Sequence, residues 1–431
     1  MTLYRATVLD VPADPFASSD ALRVESDGGV LVTDGVIGDR GPFVALRERY
    51  PDEPVDDRRD GLLLPGFVDT HVHYPQLRAI GGLGMPLLDW LQQCALPEEV
   101  RFADTDYAAT VADQFLDGLA RAGTTTALVF GAHFAPAMDA FFERADRSGL
   151  NITSGLVLGD RHLRGELHCT PEAALGQSQA LIDRWHGRGR LRYAVTPRFS
   201  LSATDDLLAV CGQLLRDNIW FTSHINENLA EVATVAGLFP DSGHYLGSYE
   251  QHGLVTARSV FAHNVHATDA ELTLLGERGA AVAHCPTSNA SLGSGLFPLR
   301  RHLEHGVTVG LGSDVGAGTG LFIGKEALQA YFMQQLLGVD GMPLSPTHLL
   351  WLATAAGAQA LGLSDRTGDL SVGKDFDAVW LLPVENSTLA VNLAAADGPS
   401  DALARVFALA TTADIAETWA GGRALRAHDP R

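Results

Sequence analysis

The sequence predicts an α/β fold: a (β/α)₈ barrel of the TIM type with a small β-sandwich domain formed by both chain ends. Between residues 62 and 314, short apolar runs typical of strands alternate with longer segments of helical period, the pattern of parallel β/α units. The first 60 residues are rich in Gly and Asp and contain short β-prone runs with Asp-Gly turn signals. β-like runs return at 369–382 and 416–425, after the barrel.

The strand candidates of the barrel number eight, as this fold requires. Amphipathic segments such as 104–123 and 269–279 separate them, and the second ends in Gly279, a common helix stop. A further helical stretch, 345–363, follows the last of them. The predicted strands are 62–73, 124–130, 151–159, 191–199, 219–225, 259–265, 279–286 and 307–314.

These patterns divide the 431 residues into three segments. Residues 1–64 form the N-terminal part of the β-domain, 65–371 form the barrel, and 372–431 form the C-terminal part of the β-domain. The two ends of the chain are therefore expected to meet in one small domain beside the barrel.

Composition excludes several classes of protein. Apolar residues make up 46% of the chain, enough for a large core, which argues against disorder. Acidic residues outnumber basic ones 52 to 31, so the net charge of −21 disfavours nucleic acid and anionic membranes as partners. The sequence has no apolar run of the roughly 18 residues that a spanning helix needs, and its N-terminus lacks a signal-peptide pattern. A cytoplasmic enzyme or binding protein is expected.

Cysteines and lysines restrict the kinds of metal site. The four cysteines are scattered and none forms a CxxC pair, which excludes thiolate zinc sites and thioredoxin-like redox chemistry. The only lysines are Lys325 and Lys374, both after the eighth predicted strand. A carbamylated lysine from a middle strand, which bridges two metals in some barrel hydrolases, is therefore excluded. A single metal ion is favoured.

The pair His71 and His73 ends the first predicted strand of the barrel. Alternate side chains of a strand point to the same face, so both imidazoles can converge at the barrel mouth. Barrel enzymes place their sites at the C-terminal ends of the strands. The structural alternative is two polar residues in a strand-to-loop turn.

Three more candidate ligands also lie at the C-terminal ends of predicted barrel strands. His224 ends the fifth strand, His263 the sixth and Asp314 the eighth. Each alone could be a hydrogen-bonded barrel residue, but a purely structural role does not explain the whole set. Imidazole and carboxylate ligands suit Zn²⁺ or Fe²⁺, and an incomplete protein shell leaves a position for water.

Glu227 lies three residues after His224. The structural alternative is an acidic residue in the first turn of a helix, where the helix dipole favours it. We favour a general acid/base, because metal-assisted hydrolysis needs a group that moves protons between water and substrate.

The remaining histidines are expected to have structural roles. His133 and His284 end strands and are expected to pack or to form hydrogen bonds, and His266 is not expected to be a ligand. His302 and His305 lie on a predicted helix and are expected to be solvated. The HLE segment at 302–304 lacks the PCxxC partner of the cytidine-deaminase zinc motif, which excludes that fold.

Seven segments carry recognisable motifs: PGFVDTHVHYPQ (65–76), MPLLDWL (85–91), VTPRFSLS (195–202), SHINEN (223–228), FAHNVH (261–266), AHCPTSN (283–289) and GLGSD (310–314). These segments resemble the amidohydrolase superfamily and, within it, the guanine deaminases. The resemblance runs from about Pro65 to Leu382, with the motifs in the same order. HxH alone would indicate the superfamily, whereas Gln76, LLDWL and TPRFSLS indicate the narrower group.

The resemblance implies one zinc ion per chain, with Fe²⁺ as the alternative ion. His263 would lie beside the metal and hydrogen-bond the attacking water, and whether it also ligates is left open. Glu227 would carry protons to the ring nitrogen of the substrate, and Asp314 would take the proton of the metal-bound water. The ligands implied are His71, His73, His224 and Asp314.

The activity implied is hydrolysis of guanine to xanthine and ammonia by a zinc-bound hydroxide, in a protein whose relatives are often homodimers. Arg198 offers donors for the purine carbonyl and Phe199 a stacking surface, although a salt bridge at the barrel rim would also explain Arg198. Two alternatives remain: an enzyme for another amino-heterocycle (8-oxoguanine, a pterin or a triazine), and an inactive barrel that binds partners. The implied substrate contacts are His73, Gln76, Arg198, Phe199, His224, Glu227 and Asp314.

Overall fold

Two sheets organise the chain. The computed structural model describes residues 1–216 and 218–426. Its strands are β1 (Thr2–Asp10), β2 (Arg23–Thr33), β3 (Val36–Pro42), β4 (Val55–Pro65), β5 (Phe67–His73), β6 (Thr124–Phe130), β7 (Asn151–Gly155), β8 (Val157–Leu158), β9 (Leu191–Pro197), β10 (Trp220–Ile225), β11 (Ser259–His263), β12 (Ala281–His284), β13 (Thr308–Leu311), β14 (Ala378–Leu381), β15 (Ile415–Ala420) and β16 (Arg423–Arg426).

Helices connect most of these strands, and a π-helical turn, Leu91–Ala95, joins the second helix to the third. The α-helices are α1 (Phe43–Arg49), α2 (Leu87–Trp90), α3 (Leu96–Val100), α4 (Thr105–Arg121), α5 (Ala135–Ser148), α6 (Pro171–Trp185), α7 (Asp205–Leu214), α8 (Leu229–Leu238), α9 (Gly247–Glu250), α10 (Asp269–Arg278), α11 (Pro286–Ser291), α12 (Leu299–Glu304), α13 (Ile323–Leu336), α14 (Pro346–Ala353), α15 (Ala355–Ala360), α16 (Thr388–Leu393) and α17 (Pro399–Leu409).

The barrel consists of parallel strands in chain order, β5-β6-β7-β9-β10-β11-β12-β13, with the short β8 also paired to β9. All eight predicted strand regions supply one of these strands. The first and last strands are adjacent, because the Asp314 amide donates to the His71 carbonyl at 2.8 Å and the Thr70 hydroxyl donates to the Leu311 carbonyl at 2.8 Å. The predicted (β/α)₈ barrel is confirmed.

The second sheet joins the two ends of the chain in the order β16-β15-β14-β4-β1-β2-β3. β14 pairs antiparallel with β4, with Ala378 opposite Pro65, and β4 pairs parallel with β1. The prediction that both ends build one β-domain is confirmed, and its hydrogen bonds link the strands into one continuous seven-stranded sheet. The predicted boundaries at 64/65 and 371/372 stay predictions.

The prediction of one continuous strand over residues 62–73 is wrong. Its first part belongs to β4 in the small sheet, and its second part is β5 in the barrel. Gly66 lies between them and donates its amide to the Asp377 carbonyl at 2.9 Å. A Cβ at this position would collide with the Thr125 side chain. The apolar run is continuous because both strands are buried, and periodicity alone does not reveal the change of sheet.

Local sequence explains where the helices begin and end. α4 is capped by the Asp104 carboxylate, which accepts from the amides of Asp106 and Tyr107. α10 begins with a capping box between Thr268 and Glu271 and ends at Gly279, whose φ of 67° is left-handed. Among the described residues, we find no helix with the length and apolar character needed to cross a membrane.

Candidate active site

Five predicted ligand residues meet at the C-terminal mouth of the barrel. His71 and His73 lie in β5, His224 in β10 and His263 at the end of β11, and Asp314 follows β13 by three residues. All five are buried. The alternation of side chains along β5 brings both of its imidazoles to the same point, as predicted.

The donor atoms of these residues are in close contact. The Nε2 atom of His73 lies 3.1 Å from Nε2 of His71 and 3.2 Å from Nε2 of His224. The Asp314 Oδ1 atom lies 3.1 Å from His71 Nε2 and 3.2 Å from His73 Nε2. One ligand atom each from His71, His224, His263 and Asp314 falls within 4.8 Å of the others, which is compatible with one shared ion.

Neighbouring groups orient two of these imidazoles. The Nδ1–H of His224 donates to the Arg198 carbonyl at 2.6 Å, and Nδ1–H of His263 donates to the Asn289 side-chain oxygen at 3.0 Å. A hydrogen bond at Nδ1 leaves the lone pair of Nε2 for a metal, as is usual for metal-ligating histidines. Nε2 of His263 is buried and has no hydrogen-bond partner.

Burial lowers the pKa of His71, His73 and His224 and so favours their neutral forms. It lowers the pKa of His73 to about 4 and the pKa of His224 well below its usual value. Neutral imidazoles have too few protons to satisfy three nitrogens in contact, so their lone pairs face one another at a net cost. A divalent cation of the zinc or iron type fits this donor set, because it converts the facing lone pairs into ligands.

Two of these residues have an unusual backbone conformation. His263 has a φ of 70° and Asp314 a φ of 45°, in the left-handed region that non-glycine residues rarely adopt. Such residues cost of order 1–3 kcal/mol each and cluster at active sites. Here the Asp69 carboxylate helps to hold the segment before Asp314, since it accepts from the amides of Ser313 at 3.0 Å and His71 at 3.1 Å.

Glu227 lies beside the ligand cluster. Its Oε2 atom is 3.6 Å from Nε2 of His263, and its Oε1 accepts from the Ser294 hydroxyl at 3.2 Å. Burial and then the charge of Asp314 raise the pKa of Glu227 to about 8, so the carboxyl can hold a proton at neutral pH. Glu227 precedes Asn228, the N-cap of α8, so it is not the first-turn residue of the structural alternative.

A buried carboxylate that the sequence analysis missed organises the opposite wall. Glu99, on α3, accepts from Arg198 Nη1 at 2.6 Å and from Gln76 Nε2 at 2.7 Å, and His133 Nε2 lies 3.3 Å from it. Burial opposes ionisation of Glu99, but Arg198 and His133 outweigh it and hold its pKa below the usual range. The sequence contains no signal that distinguishes Glu99 from its neighbour Glu98, which binds Arg101 instead.

The predicted substrate contacts all line one pocket with the ligand cluster. It is bounded by Gln76, Arg198 and Phe199 on one side and by Glu227 and His263 on another. The Gln76 side chain is partly engaged within the protein, because its Oε1 accepts from the Gly316 amide at 3.2 Å. Apolar side chains from the segment after the first barrel strand complete the wall: Leu87, Trp90 and Leu91.

Aromatic rings enclose the imidazoles. The ring centroid of Phe130 lies 4.6 Å from that of His73 and 4.5 Å from that of His224, and Phe199 makes an edge contact with His224 at 6.0 Å. These rings surround the imidazoles with apolar groups, and such low-dielectric surroundings strengthen electrostatic interactions. The strand TTTALVF carried no signal that marked Phe130 as part of the site.

The expectation that His302 is solvated is wrong. His302 is buried, and its Nε2 accepts from the Asn264 side-chain amide at 3.0 Å. The helix around it packs against the barrel rim, whereas His305 on the next turn is half-exposed. His284 packs its ring on Phe297 at 4.2 Å, in keeping with the predicted structural role.

The comparisons with known proteins agree with this architecture. Residues 62–425 match the model of the amidohydrolase family. The probable guanine deaminase of Deinococcus radiodurans is 57% identical, over 100% of this chain and 99% of its own. The solved structure of E. coli guanine deaminase covers 100% of both chains with 36% identity and a TM-score of 0.96.

A second solved structure is a guanine deaminase from C. acetobutylicum, with guanine bound in its active site. It is 27% identical, covers 98% of this chain and 99% of its own, and has a TM-score of 0.90. The chain belongs to the amidohydrolase family.

Proposed function

We propose that this protein is a guanine deaminase that hydrolyses guanine to xanthine and ammonia. The observation that carries the proposal is the position of Glu227, a buried carboxyl of raised pKa, in one pocket with the His/Asp cluster, Arg198 and Gln76. Relatives named guanine deaminase, similar over the full length of the chain, support it.

One zinc ion per chain, with Fe²⁺ as the alternative, would be held by the four ligands proposed from the sequence, and His263 completes the cluster. Such an ion supplies Lewis acidity and makes water a better nucleophile near neutral pH. The proposed ligands are His71, His73, His224 and Asp314, whose donor atoms are in mutual contact.

Glu227 would act as the proton donor to the purine. Protonation of a ring nitrogen makes C2 electrophilic, so that a water oxygen adds to C2. Asp314, beside His263, would accept the first proton that this water releases and pass it to Glu227. Glu227 would deliver that proton to the amino nitrogen, and the C2–N bond would then break to release ammonia. The C2 hydroxyl would become the carbonyl of xanthine, and its proton would return through Asp314 to Glu227. The reaction thus consumes one water and leaves both carboxyls as they began.

Arg198 and Gln76 would orient the ring through their remaining donors. Glu99 occupies Nη1 of Arg198 and one Nε2 hydrogen of Gln76. The other guanidinium N–H groups can donate to the purine carbonyl, and the second Nε2 hydrogen of Gln76 to a ring acceptor. Phe199 would contact the face of the ring. The ion pair at Arg198 thus complements ligand binding, since it fixes the guanidinium at the pocket wall.

The test is ammonia release from guanine, 8-oxoguanine, a pterin, an aminotriazine, adenine and cytosine under identical conditions. We expect the highest kcat/KM for guanine. A higher value for any other heterocycle would replace the proposed substrate with that compound, and no ammonia from any of them would contradict a deaminase.

Metal analysis tests the cofactor. We expect about one zinc or iron per chain and loss of activity on chelation, because the donor set closes around one ion. Two tightly bound metals per chain would contradict the proposed site. We also propose a cytoplasmic homodimer, as the resemblance to the guanine deaminases implies, and sedimentation should give the mass of two chains.

A further inference from the structure

A second cavity lies at the end of the barrel opposite the candidate active site. It has a volume of about 650 Å³, within the range of small-molecule sites. Its wall includes Asn151, Leu191 and Trp220, the first residues of three barrel strands, and the turn before β11. The C-terminal ends of the same strands carry the active site, so the barrel separates the two cavities.

This cavity is lined by positive charge. Four arginines and His186 border it, and none of the lining residues that the structure describes is acidic. That concentration is unusual in a chain with 52 acidic and 31 basic residues. Like charges placed together repel each other, and an anion between them removes that cost. The arginines are Arg190, Arg192, Arg258 and Arg366.

Two of these arginines are neutralised behind the cavity and two are not. Arg190 pairs with Asp377, and Arg366 pairs with Asp375 at 2.8 Å. Arg192 donates only to neutral oxygens, the Thr153 hydroxyl at 3.1 Å and the Leu361 carbonyl at 2.7 Å.

Among the described residues, Arg192 forms no ion pair with a carboxylate, and its Nη2 has no hydrogen-bond partner. Burial and then the charge of Arg366 lower the pKa of Arg192 to about 10, and the charge of Asp365 offsets this shift only in part. The remaining arginine, Arg258, is exposed, and within the described part of the chain its guanidinium hydrogen-bonds only to the Asn218 side-chain oxygen, at 3.4 Å. Its guanidinium is free to turn toward a ligand.

The floor of the cavity is rigid and partly aromatic. The Arg192 guanidinium lies 4.9 Å from the centroid of the Trp220 ring, a cation–π contact that fixes its plane. A planar guanidinium in a fixed orientation matches the paired oxygens of a phosphate group. The volume leaves room for more than one phosphate group beside it.

We propose that this cavity is a binding site for a phosphate-bearing anion, such as pyrophosphate or a nucleoside 5′-phosphate. The shared chemistry is recognition of phosphate oxygens by Arg192 and Arg258. The site is separate from the pocket of the proposed deaminase reaction and does not depend on that assignment.

Calorimetric titration of the full-length, metal-loaded protein tests the site with inorganic pyrophosphate, adenosine 5′-monophosphate and neutral adenosine. We expect saturable binding of both anions and none of adenosine. Equal affinity for the two anions would show that the site recognises phosphate alone. Tighter binding of the nucleotide would show that the site also contacts the nucleoside.

Variants locate the binding. Arg258→Gln removes an exposed charge without disturbing the core, and Arg192→Gln removes the buried charge. Each variant should bind the anions about tenfold more weakly or worse, because each loses a charge-assisted hydrogen bond. Arg147→Gln, at an exposed arginine of α5 outside the cavity, should bind like the unmodified protein. The proposal is overturned if neither anion binds at millimolar concentration, or if Arg258→Gln binds with unchanged affinity.

Discussion

Individual side chains in the pocket combine roles that appeared as alternatives in the sequence. Arg198 is both an ion-pair partner and a wall of the pocket, because Glu99 takes one end of its guanidinium. Gln76 shares the same carboxylate. Glu227 is held differently: its backbone amide donates to Glu231 Oε2 at 3.0 Å, which leaves its carboxyl directed at His263.

Replacing the proposed proton donor tests the chemistry at this scale. Glu227→Gln should lower kcat by about 10²–10⁴-fold, because the amide cannot transfer protons. The metal content should not change, since Glu227 is not among the proposed ligands. Steady-state kinetics and metal analysis of the same preparation measure both quantities, and near-normal turnover would disprove the assignment.

Glu99 offers a test of positioning. Glu99→Gln should raise KM and lower kcat/KM by up to about 10²-fold, because a guanidinium that loses its anchor misplaces the substrate. Metal content should stay the same. Glu98→Gln is the matched control on the same helix, since Glu98 binds Arg101 outside the pocket. An equal loss in both variants would show a general effect on α3.

At the scale of secondary-structure elements, strands and helices position the residues of the site. β5, β10 and β11 bring His73, His224 and His263 to the C-terminal mouth of the barrel. α12 is attached to the rim of the barrel through His302, whose Nδ1–H donates to the Pro298 carbonyl at 3.0 Å while Nε2 accepts from Asn264 at 3.0 Å. Only the neutral imidazole satisfies both bonds.

The attachment of α12 should depend on pH. Burial lowers the pKa of His302 to about 4, below the usual 6.5. A lowered folded-state pKa means that the neutral side chain stabilises the fold above pH 6.5, and this contribution declines as the pH falls from 6.5 toward 4.

His302→Gln removes the titrating group. Denaturant unfolding at several pH values should show that the unmodified protein loses more stability than this variant between pH 7 and 4. Parallel pH dependence of the two proteins would contradict this role of His302.

At the scale of the whole molecule, a set of buried hydrogen bonds at Asp10 connects the N-terminal and C-terminal parts of the β-domain. Asp10, at the end of β1, is buried and accepts from Arg40 Nη1 at 2.9 Å, from Arg23 Nε at 2.9 Å and from the Leu370 amide at 2.8 Å. These bonds link the first strand of the chain to the segment that precedes β14. Burial opposes ionisation of Asp10, but Arg23 and Arg40 outweigh it and lower its pKa.

Removing this carboxylate should destabilise the whole fold. Asp10→Ala should lower the free energy of unfolding by about 3–5 kcal/mol, the cost of leaving a buried arginine unpaired. Because the folded-state pKa is lowered, the contribution exists above pH ~4 and declines as the pH falls below it.

Urea unfolding at pH 7 and at pH 3 measures both effects, and the difference between variant and unmodified protein should be smaller at pH 3. Asp57→Ala, at an exposed ion pair with Arg59 on β4, is the control and should change stability little. Equal destabilisation by the two substitutions would contradict the importance of the buried joint.

The sequence by itself determined the barrel and the cluster at its mouth. Short-range periodicity specifies a strand and which of its residues share a face, so His71 and His73 were predictable as a pair. Parallel strands of a barrel end in one plane, so His224, His263 and Asp314 followed from their positions alone. The deaminase assignment came from the resemblance of the motifs and stays a proposal, tested by the assays above.

Only the tertiary structure decided which other side chains join them. Glu99 and Ser294 hydrogen-bond to residues of the pocket from segments whose local sequence has no period or motif. The break at Gly66 is not visible in the sequence because the two buried strands beside it form one continuous apolar run. The second cavity, at the end of the barrel opposite the candidate active site, combines residues from the starts of several strands and from the turn after α15. Such contacts depend on how distant elements pack, and packing is a property of the folded chain that no local pattern encodes.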